Sequence, residues 1–158
     1  MSIISLNIAS LIDNIFYFFI RKIHPEYDAE SFSYDVAVIE LDKAVDINEY
    51  VSPICILEDS VHFPTGHPCL ISGWGFYKSD NSKLRFLQIR TVDVNVCNSS
   101  KYYDGAISST MACAGMSDTI TDICHGDSGG PLICRQPESD YAALSGIVFW
   151  GQGKIAVN

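Results

Sequence analysis

Residues 122–131 read Asp-Ile-Cys-His-Gly-Asp-Ser-Gly-Gly-Pro, a serine set among glycines with cysteines at 124 and 134. A serine hydroxyl becomes a useful nucleophile only where backbone N–H groups can stabilise the oxyanion its attack creates, and glycine lets a backbone approach that closely. Gly126 and Ser128 are candidates to supply those donors. Asp127, between them, puts a carboxylate in a crowded loop and calls for a cationic partner, because a lone buried charge is strongly disfavoured. The chemistry indicated is nucleophilic attack by Ser128. The same residues also read as a glycine-rich turn between two strands, and the stretch by itself leaves both readings open.

A serine of this kind needs a base. The chain has four histidines, His24, His62, His67 and His125. His24 belongs to an Ile-His-Pro segment and the next two lie in a loop-like stretch, so each reads as a surface or structural residue. No Gly-x-x-x-x-Gly-Lys and no His-Glu-x-x-His occurs, and no cofactor is expected. The six cysteines, at 55, 69, 97, 113, 124 and 134, lack the C-x-x-C spacing of a structural zinc site. They read as half-cystines in an oxidising compartment, with 15 connectivities open to them. No metal is expected. Asn98-Ser99-Ser100 is an N-glycosylation acceptor triplet, which fits an extracellular, secreted chain. The formal net charge of −9 argues against a nucleic-acid partner, since phosphate binding needs clustered Lys and Arg. An acidic chain attracts basic partners instead.

The elements that must position Ser128 are strands. At 158 residues, 47% hydrophobic and 18% charged, the chain has the profile of one packed domain. Short β-branched and aromatic runs recur: VAVIEL, CLISGW, FLQIRTVDVNV, PLIC and ALSGIVFW. Turn compositions separate them, at Pro64-Thr65-Gly66, Ser79-Asp80-Asn81-Ser82 and Pro137-Glu138-Ser139-Asp140. The fold class is all-β. Residues 1–22 form an apolar leader unlike the rest, followed or closed by Arg21 and Lys22. Charge after the apolar stretch is not the order of a signal peptide. Asn7, Asp13 and Asn14 inside it count against a membrane span, so a membrane role is not expected. An ordinary buried segment, or a non-native start, is the plainer reading.

The segment around Ser128 resembles the trypsin/chymotrypsin family of serine proteases, peptidase S1, whose signature is Gly-Asp-Ser-Gly-Gly-Pro. Other landmarks follow in family order. Ile23-His24-Pro25-x-Tyr27 and Asp35-Val36-Ala37-Val38-Ile39-Glu40-Leu41 are similar to the segment around the triad aspartate. Cys69-Leu-Ile-Ser-Gly-Trp-Gly75 is similar to the start of the second barrel, Met111-Ala-Cys-Ala-Gly115 to the segment before the specificity pocket, and Ser145-Gly-Ile-Val-Phe-Trp-Gly151 to the strand that lines the substrate. The resemblance covers residues 23–154 and implies a trypsin-like double β-barrel, here the end of the first barrel and most of the second. It implies a serine endopeptidase working through an acyl-enzyme, with Ser128 as nucleophile, Asp35 as triad aspartate and the N–H groups of Gly126 and Ser128 as oxyanion hole. It places Asp122 at the base of the specificity pocket, implying cleavage after Arg or Lys. His125 falls at the pocket mouth, Trp150 and Gly151 fall on its wall, and Asp127 becomes the partner of an amino terminus freed on activation. Protein or peptide substrates with Arg or Lys are the implied partners, and protease inhibitors further ones. The implied bridges are Cys69–Cys134 and Cys97–Cys113, which leaves Cys55 and Cys124 unpaired.

Departures from the family pattern carry equal weight. The triad histidine lies in an Ala-Ala-His-Cys-like segment before the aspartate, and no such segment precedes Asp35 here. No Ile-Val-Gly-Gly-like start occurs, and nothing after Gly151 matches the family's last strand and C-terminal helix, so the chain reads as truncated at both ends. Phe149 stands where a serine is usual, which implies a bulky ring near the triad aspartate. Strands such as Val36–Leu41 would then have unpaired edges, an aggregation hazard. Three readings result: an active trypsin-like protease of which this is a part, a secreted pseudoprotease acting as a binding or decoy protein, and an unrelated β-domain.

Overall fold

The computed structural model describes residues 18–41, 43–57, 61–74, 83–115, 127–136, 141–151 and 155–157. These form an all-β fold in two sheets. The first is a two-stranded antiparallel unit, β1 (Phe18–Ile23) against β2 (Ala37–Leu41), in one register from Ile23↔Ala37 to Ile20↔Glu40 and shifted by a bulge before Phe18↔Leu41. β1 reaches back across the boundary expected at residue 22, so the end of the apolar leader pairs with the Val-Ile-Glu-Leu run. The intervening loop continues the ladder by one bond, His24 N–H to the Val36 carbonyl at 3.0 Å. The His24 imidazole stacks on Tyr34 with ring centroids 4.6 Å apart, holding the loop ends together.

The second sheet contains β3 (Cys55–Ile56), β4 (Pro68–Gly73), β5 (Arg85–Val92), β6 (Ala112–Gly115), β7 (Pro131–Arg135), β8 (Ala142–Gly151) and β9 (Ile155–Val157). Its order is β3-β8-β7-β4-β5-β6-β9, and β9 also pairs with β8. Six antiparallel strands, β8-β7-β4-β5-β6-β9, therefore close into a barrel, which removes open edges. Beyond the expected strands, Ile155–Val157 pairs with Ala112–Ala114 on one side and Val148–Gly151 on the other, closing the ring. The run Lys-Ile-Ala-Val is too short to read as a strand from pattern alone. β3 is a two-residue parallel addition to β8 at Ala143 and Leu144.

The strand expected over FLQIRTVDVNV ends at Val92. Asp93 follows with its carboxylate accepting N–H bonds from Asn95 at 2.8 Å and Val96 at 3.4 Å, and this cap starts one helical turn, α1 (Val94–Cys97). An N-cap of this kind overrides the strand preference of two valines, which are left largely exposed. The turn delivers Cys97 into the interior.

The core is built by alternation. Cys69 and Ile71 of β4, Ile89 of β5, Ala114 of β6, Leu132 and Cys134 of β7 and Val148 of β8 face one another in the barrel. A second cluster, Cys97, Tyr103, Ile107, Met111 and Cys113, lies beneath the loop from α1 to β6, with Val92 and Phe149 packed against it. Each cluster contains a disulfide. Cys69–Cys134 joins β4 to β7 with Cα atoms 4.3 Å apart, and Cys97–Cys113 closes the α1–β6 loop with Cα atoms 6.4 Å apart. These are the pairings that the family resemblance implied. Cys55 is an exposed free thiol, and Cys124 lies outside the described residues.

Candidate active site

Four residues before β7 make a tight turn. The Gly130 N–H donates to the Asp127 carbonyl at 2.9 Å, and Gly129 has φ of +83°, a conformation that side-chain-bearing residues rarely adopt. Two further bonds stitch the turn to β8: Gly129 N–H to the Val148 carbonyl at 2.6 Å and Val148 N–H to the Gly130 carbonyl at 2.9 Å. Ser128 is exposed at its tip. Its hydroxyl donates to the Phe149 carbonyl at 3.1 Å.

Asp127 is half-buried, and its carboxylate lies against the backbone of Gly73 at the end of β4. A Cβ at Gly73 would clash with Oδ1 of Asp127 and lie 2.9 Å from its Cγ. Gly73 is thus the seat of the Asp127 side chain. The signal that could have singled it out is a glycine inside a strand pattern, which marks a close approach of another group.

Asp35 sits half-buried at the entry to β2, on the two-stranded sheet, whereas Ser128 belongs to the barrel. The α1–β6 loop touches both neighbourhoods. The Tyr34 N–H reaches Thr110 Oγ1 at 3.4 Å, and the Thr110 hydroxyl is 2.9 Å from that of Ser108. Phe149, whose carbonyl receives the Ser128 hydroxyl, packs against the buried cluster of the same loop. The implied bulk at position 149 is therefore taken up by that cluster.

The histidines have other engagements. His24 stacks on Tyr34, and its Nδ1 accepts the Glu26 N–H at 3.2 Å. His67 stacks on Phe63 at 4.6 Å, and its Nε2 meets the Arg135 carbonyl at 2.8 Å. His62 is exposed. Asp122, His125 and Gly126 lie outside the described residues, so the expected pocket base, pocket mouth and second oxyanion donor have no geometry here. Trp150 and Gly151 lie on β8, paired with Ala156 and Ile155 of β9. Among the described residues no group of three or more His, Cys, Asp or Glu could hold a metal ion.

The Asn98 side chain, part of the acceptor triplet, is used internally. Its Nδ2 donates to the Ile107 carbonyl at 3.0 Å, and its Oδ1 accepts the Ile107 N–H at 2.9 Å.

A profile of the family described as Trypsin matches residues 13–158. The chain belongs to the trypsin family of serine proteases. The match starts ten residues before the first landmark at Ile23, inside the apolar leader. Among curated proteins, the chain is 40% identical to human "Transmembrane protease serine 5" over 136 residues, 82% of this chain and 29% of that protein. It is 42% identical to rat "Transmembrane protease serine 9" over 134 residues, 82% of this chain and 12% of that protein, and 36% identical to mouse "Transmembrane protease serine 7" over 137 residues, 83% and 16%. This trypsin-family chain thus spans less than a third of each relative's length. The relatives' names do not support the expectation of a secreted chain remote from a membrane. Among the described residues, no helix is long and apolar enough to cross a membrane.

Proposed function

We propose that this trypsin-family domain is that of a serine endopeptidase cleaving protein or peptide substrates after Arg or Lys, with Ser128 as nucleophile and Asp35 as the carboxylate that orients a histidine base. The observation that carries the reading is the Asp127–Gly130 turn, which exposes Ser128 while Val148 on β8 holds the turn from behind. Attack by Ser128 Oγ on a scissile carbonyl would form an acyl-enzyme and release the amine, and the N–H groups of Gly126 and Ser128 would receive the oxyanion. Asp122 would hold the basic side chain as a desolvated, charge-assisted pair. Its place in the sequence, six residues before Ser128, supports that role. Asp127, seated on Gly73, would hold the turn in its working conformation by pairing with an amino terminus. The disulfides fit an extracellular placement of the domain.

No Ala-Ala-His-Cys-like segment occurs in the 158 residues. In this chain the Ser128 proton is directed to the Phe149 carbonyl, a group that cannot accept it in catalysis. That observation favours a second reading, a pseudoprotease that binds substrates or inhibitors without turnover.

Two measurements test the pair. Peptide-library profiling of the activated full-length protein is expected to show dominant cleavage after Arg or Lys; preference for aromatic or small residues would remove Asp122 from its role. The 158-residue chain is expected to show no turnover of an Arg reporter beyond the residual catalysis, roughly 10³- to 10⁴-fold over water, left when a triad member is lost. Serine-directed organophosphorus labelling beside Ser128→Ala is the companion assay. Turnover together with labelling confined to Ser128 would show that another group serves as base.

A further inference from the structure

The acceptor triplet Asn98-Ser99-Ser100 and the α1–β6 loop make incompatible demands on one amide. Asn98 ends α1, with its own N–H bonded to the Val94 carbonyl at 2.7 Å, and Ile107 lies nine residues on, buried in the second cluster. The Asn98 side chain joins them through both of its functional groups, donating from Nδ2 and accepting at Oδ1 on the same residue's backbone. Gly105 N–H to the Asn98 carbonyl at 3.0 Å and Tyr103 N–H to the Cys97 carbonyl at 3.2 Å close the same loop, and the Cys97–Cys113 bridge encloses it.

A cyclic pair of this kind uses the amide hydrogen on the same side of the C–N bond as the oxygen. Amide planarity and the preference for trans then decide the outcome. In an N-linked glycan one hydrogen of Nδ2 is replaced by a sugar carbon, and in the trans amide that carbon takes the position on the oxygen's side. The remaining N–H points away from Oδ1. It cannot donate to the Ile107 carbonyl while Oδ1 accepts the Ile107 N–H, and the cis amide that would restore the pair is strongly disfavoured.

We propose that Asn98 is a clasp of the folded chain, and that glycosylation at Asn98 and the native 98–107 loop exclude one another. The acceptor triplet is open in the unfolded chain and closed once Asn98 has met Ile107. Glycan transfer before folding would leave a buried Ile107 carbonyl without its donor. It would also loosen the loop that receives Tyr34 at Thr110 and Phe149 on its cluster. The inference is independent of whether Ser128 turns over a substrate.

The test is to pass the chain through the endoplasmic reticulum of cultured animal cells, beside Ser100→Ala, which deletes the acceptor and keeps the clasp, and Asn98→Asp, which turns an oxygen on the Ile107 carbonyl. Chains carrying the Cys97–Cys113 bridge are separated from those lacking it. Peptide mass spectrometry before and after removal of N-glycans then gives Asn98 occupancy in each fraction, and hydrogen exchange reads the Ile107 amide. Glycan at Asn98 is expected only in the fraction without the bridge. In the bridged fraction the Ile107 amide is expected to be protected, Ser100→Ala should enlarge that fraction, and Asn98→Asp should lose the protection. A glycan on Asn98 in bridged chains with Ile107 protected would overturn the proposal. So would absence of glycan in both fractions, which removes the competition, or an unprotected Ile107 in unglycosylated Ser100→Ala.

Discussion

Replacing Gly73 by Ala puts one methyl group where the Asp127 carboxylate now rests. The added Cβ would clash with Oδ1 and sit 2.9 Å from Cγ, but 3.5 Å from Cβ of Asp127, an ordinary contact. The carboxylate must leave or β4 must shift. Overpacking of this kind costs about 1–3 kcal/mol. In a domain of this size each kcal/mol moves the melting point by about 2–4 °C, so Gly73→Ala is expected to lower it by about 2–12 °C. The origin of the loss can be isolated. In an Asp127→Ala background the two clashing atoms are gone, and Gly73→Ala should cost little more than nothing. A double-mutant cycle by urea and thermal unfolding should therefore give a coupling of about 1 kcal/mol or more between the two positions. An equal cost of Gly73→Ala in both backgrounds would refute the assignment of Gly73 as the seat of Asp127.

Two further outcomes concern groups away from the turn. Asp28, in the β1–β2 loop, is fully exposed, yet the Ser31 hydroxyl and then the Glu30 N–H hold its carboxyl below the ordinary value of 3.8. Because the folded value is depressed, its contribution to stability is present above the unfolded value and disappears as pH falls through the folded one. Carboxyl NMR titration should find Asp28 low in the wild type and moved back up in Ser31→Ala; an ordinary value in the wild type would refute the loop's hydrogen bonding. Non-reducing peptide mapping should recover Cys69–Cys134 and Cys97–Cys113, with Cys55 alkylated in the folded chain, and a Cys55–Cys124 bridge would contradict the fold. Loss of the Cys97–Cys113 bridge by paired alanine substitution should cost about 2–4 kcal/mol in chemical denaturation.

Legibility in the sequence followed how local each determinant is. CLISGW, PLIC and ALSGIVFW became β4, β7 and β8 because alternating apolar residues have one face to bury, and that face is the barrel interior of Cys69, Ile71, Leu132, Cys134 and Val148, whereas VAVIEL became β2 of the two-stranded sheet. The same rule failed at Val94 and Val96, where one capping carboxylate at Asp93 outweighed two β-branched side chains that bury little. β9 was not legible at all. Three residues carry no period, and Ile155–Val157 is a strand only because β6 and β8 present two ladders for it to close.

The site divides in the same manner. Ser128, Gly129 and Gly130 are contiguous, so their turn could be read from composition. The relation of Ser128 to Phe149 spans 21 residues and that of Tyr34 to Thr110 spans 76, and no spacing rule connects them. The α1–β6 loop makes both connections: it seats the residue before Asp35 and packs the ring whose carbonyl meets Ser128. A loop with that duty must be rigid, and three devices at its base supply rigidity: the Asp93 cap, the Asn98–Ile107 pair and the Cys97–Cys113 bridge. Only the bridge was indicated beforehand, since a family pattern marks cysteines, whereas a side-chain amide paired with backbone nine residues away is visible only once the loop has closed.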